Sequence, residues 1–184
     1  DSTPSIPSTT LRAEIVITND SGTIELRGDK SVGIVTDFGE IYNNGTGLIK
    51  VSGKESIGII SANGSLAENN GTIQIGEEGV GIYGVNVLDT ASIPDYGTKK
   101  IEIENNGLIQ GLAGSKSSYG IIADNKSGTG NSSVILSVSS DIDMSLSEKG
   151  IGVYTNDTVL TASGTIRAGK EGVGIYAKER ARQL

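Results

Sequence analysis

Two stretches of the sequence have residue types and spacing that could do chemistry. Asp141-Ile142-Asp143 sets two carboxylates two residues apart, so that on a strand both project from one face. A polysaccharide hydrolase or lyase uses such a pair, one carboxyl as acid and the other as base or nucleophile. Gly79-Val80-Gly81-Ile82-Tyr83-Gly84 has the G-x-G-x-x-G spacing that holds the pyrophosphate of a dinucleotide. That use needs one strand before the glycines and one helix after them, with the helix N-terminus facing the phosphates. The residues that follow, Val85-Asn86-Val87-Leu88-Asp89-Thr90, carry no helical pattern. The string also returns as Gly172-Val173-Gly174-Ile175-Tyr176-Ala177, with weaker copies around Gly33, Gly58, Gly120 and Gly152. A string met six times is a repeat unit, and the cofactor reading falls with it.

The elements that position these residues follow from the repeat. Upstream of each "VGIY" string lies a strand-like string, as in Gly71-Thr72-Ile73-Gln74-Ile75-Gly76, and upstream of that a third, more variable one. Three short strands per unit of about 22 to 25 residues suit one coil of a parallel β-helix. The expected fold is all-β: a right-handed parallel β-helix of about six coils with two loop insertions. Its handedness follows the general preference of parallel β crossovers. Strand alternation points Ile73 and Ile75 inward, with Ile24, Leu26, Ile49, Val51, Ile142, Met144, Ile166 and Ala168 at equivalent positions. In the last strand of the unit, alternation assigns Val80 and Ile82 to the core and Gly81 and Tyr83 to the outside. The three Asn-Asn-Gly corners, at Asn43, Asn69 and Asn105, are read as structural, tolerant of left-handed backbone and able to stack as amide ladders.

Composition excludes much of the remaining chemistry. The 184 residues include no Cys and no His, which removes thiol nucleophiles, disulfides and the commonest general base and metal ligand. Neither the Ca-binding nonapeptide nor an EF-hand loop is present, and no metal or cofactor is expected. A net charge of −7 argues against sequence-independent nucleic-acid binding, which needs cations to neutralise phosphates. Aromatics make up only 4% while Gly numbers 27, so a core must be built from small and β-branched groups. No apolar run is long enough for a membrane helix, and Asp1–Thr10 has no leader pattern. The chain therefore reads as cytoplasmic or as a mature or excised piece of an exported protein.

Residues 1–12 hold two prolines and read as a linker, 13–177 as the β-helix, and 178–184 as a tail or tag remnant. The repeat ends without a polar capping coil, which marks a piece of a longer array. Two insertions break the period, at Val85–Lys99 and Asn125–Ser133. Insertions are where a solenoid carries function, so Asp89, Asp95, Tyr96, Asn125, Lys126 and Asn131 are the candidate ligand contacts. Tyr96 leads them, as an aromatic with a polar tip on a loop. Further acidic groupings are Glu77 with Glu78 and Glu102 with Glu104. Val35, Ile60, Tyr83, Ile122, Tyr154 and Tyr176 stack as a column that is either an outward apolar ribbon or a corner of the core.

The strings Asn69–Gly84 and Ser163–Ala177 resemble the passenger repeats of the large type V autotransporter adhesins of fusobacteria and their relatives, over about residues 20–177. The resemblance implies a β-helical segment displayed on the bacterial cell surface beyond the outer membrane, attaching to host glycans, host receptors or other bacteria. No binding residue of that group can be carried over by motif. On this reading the chain is not an enzyme. The alternatives are a polysaccharide hydrolase or lyase working through Asp141 and Asp143, and a purely structural stalk.

Overall fold

A computed structural model describes residues 15–87, 100–126 and 132–179. The described chain winds through six coils of three strands each. The first strand of every coil joins sheet A: β1 (Val16–Asn19), β4 (Glu40–Asn43), β7 (Leu66–Asn69), β10 (Glu102–Asn105), β13 (Ser132–Leu136) and β16 (Thr158–Ala162). The second joins sheet B: β2 (Thr23–Leu26), β5 (Leu48–Val51), β8 (Thr72–Ile75), β11 (Leu108–Gly111), β14 (Asp141–Met144) and β17 (Thr165–Ala168). The third joins sheet C: β3 (Val32–Asp37), β6 (Ile57–Ala62), β9 (Val80–Asn86), β12 (Tyr119–Asn125), β15 (Ile151–Asn156) and β18 (Val173–Lys178). Every pairing is parallel, so the fold is a parallel β-helix, with no helix among the described residues.

The core is a set of columns. In sheet B, Ile24, Ile49, Ile73, Ile109, Ile142 and Ile166 lie in register from coil to coil. The four middle members are fully buried, whereas Ile24 and Ile166 in the outer coils are only partly covered. A fully buried isoleucine contributes about 1.5–3 kcal/mol, so stability grows with each coil stacked. The two end coils gain about half of that because each has one neighbour. Ala168, in register with Met144, is left exposed for the same reason.

Alternation fails at one place in each coil of sheet C. Ile82 and Tyr83 lie as strand periodicity requires, but Gly81 is buried and Val80 is half-exposed, the reverse of the expected assignment. Two successive inward residues mark a bend, and its cause is close approach between coils. A Cβ built on Gly33, Gly58, Gly81, Gly120 or Gly152 would sit 2.5–2.7 Å from the carbonyl oxygen of the equivalent glycine one coil on. Only glycine fits, which explains why "VGI" is the most regular part of the repeat.

The corners differ from expectation as well. Of the three Asn-Asn-Gly corners only Gly45 takes a left-handed conformation, at φ 50°. The left-handed column stands instead between sheets B and C, at Lys30, Glu55, Glu78, Ser117, Lys149 and Glu171, with φ of 51–57°. The backbone N–H of each of the first five donates to a carbonyl of the next coil, as from Glu55 to Glu77 at 3.1 Å and from Glu78 to Lys116 at 2.8 Å. Those hydrogen bonds offset the strain of a non-glycine residue there. The Asn corners earn their place through side chains. Asn19 Nδ2 donates to Asn43 Oδ1, Asn43 to Asn69 and Asn69 to Asn105, at 2.8, 2.8 and 2.7 Å, and Asn105 closes the buried ladder on Ser140 Oγ.

Candidate functional site

Each coil turns the same inward residues to the core, so any site must lie on the three outer faces or at the corners. Sheet B shows a mostly polar face, whose first outward column runs Thr23, Leu48, Thr72, Leu108, Asp141, Thr165. Its second outward column runs Glu25, Lys50, Gln74, Gln110, Asp143, Arg167 in register. Lys50 Nζ lies 3.2 Å from Glu25, and Arg167 pairs with Asp141 and, at 3.8 Å, with Asp143. The Ser145 hydroxyl and N–H hold the Asp143 carboxyl below its usual range, and Arg167 adds to that. General acid catalysis by a carboxyl calls for the opposite displacement. Asp141 and Asp143 thus do share one outward face, and what the fold builds around them is an ion-paired group.

Sheet A shows an acidic face, with Glu40, Glu68, Glu102 and Glu104 outward on neighbouring strands. Partial burial raises the Glu104 carboxyl above its usual range, and the charges of Glu68 and Glu102 raise it further. Among the described residues no group of three or more acidic side chains is arranged to hold a metal ion.

The corner between sheets B and C carries a column of charge: its segments, from Gly28–Ser31 to Gly169–Gly172, read in sequence as charged turns facing water, but their alternation from coil to coil does not show there. Asp29, Lys54, Glu77, Lys116, Glu148 and Lys170 occupy the same turn position in successive coils, and their sign alternates without a break. Lys54 Nζ reaches Glu77 at 3.2 Å and Glu78 at 3.0 Å, while Glu148 accepts from Lys170 at 3.2 Å and faces Lys116 at 3.8 Å. The two glutamates raise the Lys54 pKa, Glu78 most. The sequence reading grouped Glu77 with Glu78 along the chain; the pattern is legible only across coils, once the repeats are aligned.

Sheet C shows an apolar face. Val35, Ile60, Tyr83, Ile122, Tyr154 and Tyr176 lie in register and face outward, from half-buried in the middle to 54% exposed at Val35 and 48% at Tyr176. The Tyr154 and Tyr176 rings stack with centroids 5.5 Å apart and planes 4° from parallel. Beside this column runs a second one that sequence reading missed, Val32, Ile57, Val80, Tyr119, Ile151 and Val173. The bend at the buried glycine is what brings it outward, so strict alternation could not have found it.

Both insertions leave from the corner between sheets C and A, after β9 and β12, on consecutive coils. Strand runs further into them than expected, through Asn86 and Asn125, which pair in register. Asn125 is fully buried, which withholds its side chain from any ligand. Lys126 N donates to the Asn86 carbonyl at 2.7 Å, and its ammonium lies 3.3 Å from Asp124, which raises its pKa together with Tyr83. Asn156 Nδ2 donates to the same Asp124 at 2.8 Å. Lys126, Asp124, Asn156 and Tyr83 thus form a polar group beside the insertion roots. Asp89, Asp95, Tyr96 and Asn131 lie outside the described residues.

Compared with family models, with curated proteins and with solved structures, the chain finds no match.

Proposed function

We propose that the chain is a segment of the displayed passenger of a bacterial surface adhesin, a stiff β-helical rod that carries a recognition site at one corner. The observation that carries this reading is the departure of both insertions from the same corner of consecutive coils, beside Lys126, Asp124 and Tyr83. A solenoid offers an extended, rigid surface, and insertions grouped on one edge of it make a binding edge. The repeat resemblance supplies the setting: export to the cell surface, with a host glycan, a host receptor or a partner bacterium as ligand. Asp89, Asp95, Tyr96, Lys126 and Asn131 are the contact candidates on this reading.

The test is a glycan and cell-binding screen of the intact chain beside two variants, in which residues 88–99 or 127–131 give way to a short Gly-containing turn. Circular dichroism checks that all three fold. Binding by the intact chain that is lost in either variant supports the reading, and loss in Tyr96→Ala would name a contact. Equal binding in all three takes recognition away from the insertions and overturns the reading of them as the site, and none in any makes the segment a spacer. Cleavage of a glycan that Asp141→Asn with Asp143→Asn abolishes would make it an enzyme instead.

A further inference from the structure

We propose that the outer face of sheet C is a self-association surface, and that its occupant is a second copy of this chain related by a two-fold axis and running antiparallel to the first. This inference does not rest on the adhesin reading, because its partner is a second copy of this chain, although Tyr83 borders both surfaces.

The face is apolar across two full columns, with no charged residue in either. Six strands about 4.8 Å apart give it a length of about 24 Å, and three residues of strand separate its columns by about 10 Å. Such a surface can in principle accept many partners. What selects a reversed copy is the order of residues along it.

Placed antiparallel, coil one faces coil six, coil two faces coil five and coil three faces coil four. Val35 then meets Tyr176, Ile60 meets Tyr154 and Ile122 meets Tyr83, so every ring of this column lies over an aliphatic side chain. The charged corner that borders the face obeys the same reversal. Asp29 meets Lys170, Lys54 meets Glu148 and Glu77 meets Lys116, opposite signs at all three positions. On the far border Asp37 meets Lys178, while Ala62 meets Asn156 and Val85 meets Asp124 without charge complementarity. An alternating column of even length is complementary to its own reversal, which an isologous contact requires.

A parallel two-fold fails the same comparison. It would exchange the two borders, so that Asp29 approached Asp37 at one end and Lys170 approached Lys178 at the other. Like charges in apposition disfavour that arrangement at both ends, and the one opposite-sign apposition it makes, Lys116 with Asp124, falls on a carboxylate that Lys126 already pairs. With its borders included the face covers about 500 Å² per partner, less than the roughly 800 Å² of a standard stable interface. The dimer is therefore weak and depends on concentration.

Sedimentation equilibrium between micromolar and millimolar concentration reads it directly. The expected result is a monomer–dimer equilibrium that Ile60→Lys abolishes over that range without changing the circular dichroism. Tyr154→Ser, a milder change, weakens the same equilibrium. Inverting one border charge by Lys116→Glu weakens it too, and adding Glu77→Lys restores it. Orientation is read by cysteine, since the chain has none of its own. With a short bis-maleimide, Ile60→Cys mixed with Tyr154→Cys cross-links as a mixed pair, and neither cross-links alone. A monomer throughout, a dimer indifferent to Ile60→Lys, or efficient cross-linking of either cysteine variant alone would overturn the proposal.

Discussion

Sheets B and C are built from the same repeat and differ in what they turn to water. Inward they are nearly interchangeable: the sheet B column is isoleucine in all six coils, and that of sheet C is Ile34, Ile59, Ile82, Ile121, Val153 and Ile175. Outward they diverge. Sheet B carries acids and cations that pair with one another, with two glutamines and two leucines among them, while two whole columns of sheet C are valine, isoleucine and tyrosine. Stacking thus constrains only the inward positions of a coil. The outward ones are free to vary, and where they keep one character through six coils, as on sheet C, solubility alone does not explain it.

The largest effects test the claim that the inner faces are alike. Ile73→Ala in sheet B and Ile82→Ala in sheet C each empty a fully buried position and should cost about 4 kcal/mol in urea unfolding. Costs that differed strongly would mean that one sheet carries the core alone. Next comes the glycine column of sheet C. Gly81→Ala drives a methyl against the Gly120 carbonyl oxygen, 2.6 Å away, and should cost about 3 kcal/mol. Gly114→Ala is its control: nothing lies within 4 Å, and the cost is the strain of φ 81° alone, about 1 kcal/mol. Equal losses would refute close approach as the reason for the "VGI" string. Between these falls Asn69→Ala, which leaves Asn43 Nδ2 and Asn105 Oδ1 without the partner they now share and should cost about 2–3 kcal/mol.

How much of this could be read in advance depended on whether a rule acts along the chain or across it. The coil count, the strand order, the inward isoleucines and the Asn ladder were all legible, because local periodicity plus stacking of like on like determines them. The orientation of Val80 and Gly81 was not, since the bend arises from contact between two coils and leaves no mark within one. The left-handed charged corners were misplaced to the Asn-Asn-Gly corners because glycine is the usual guide to that conformation, and here a carbonyl of the next coil does its work. Of the candidate site, the column through Tyr83 and the Asp141–Asp143 pair could be named from sequence, but the column's outward direction could not, nor could the pairing of both acids with Arg167, which comes from the following coil. Asn125 was misjudged because a strand end that plugs a corner and a loop that begins there look alike in sequence.

The smallest effect sharpens the contrast between the two outer faces. Arg167→Gln removes an exposed pairing and should cost little at low salt and less at high salt, as surface ion pairs do. Its pH dependence has a definite sign. Asp143 titrates lower in the fold than its ordinary 3.8, so the stability that it contributes is present above that value and is lost as pH falls through the folded pKa. Arg167 supplies part of that depression, so the variant should lose less stability than the parent on acidification over the same range. Ile122→Thr on sheet C changes no charge, and its effect on stability should stay constant with salt and across that pH interval. Unfolding curves at two salt concentrations, from neutral pH to pH about 3, separate the two. If the sheet C variant tracked salt and acid as the sheet B variant does, the charged corner would be acting on both faces, and the apolar face could not be treated as a surface governed by contact alone.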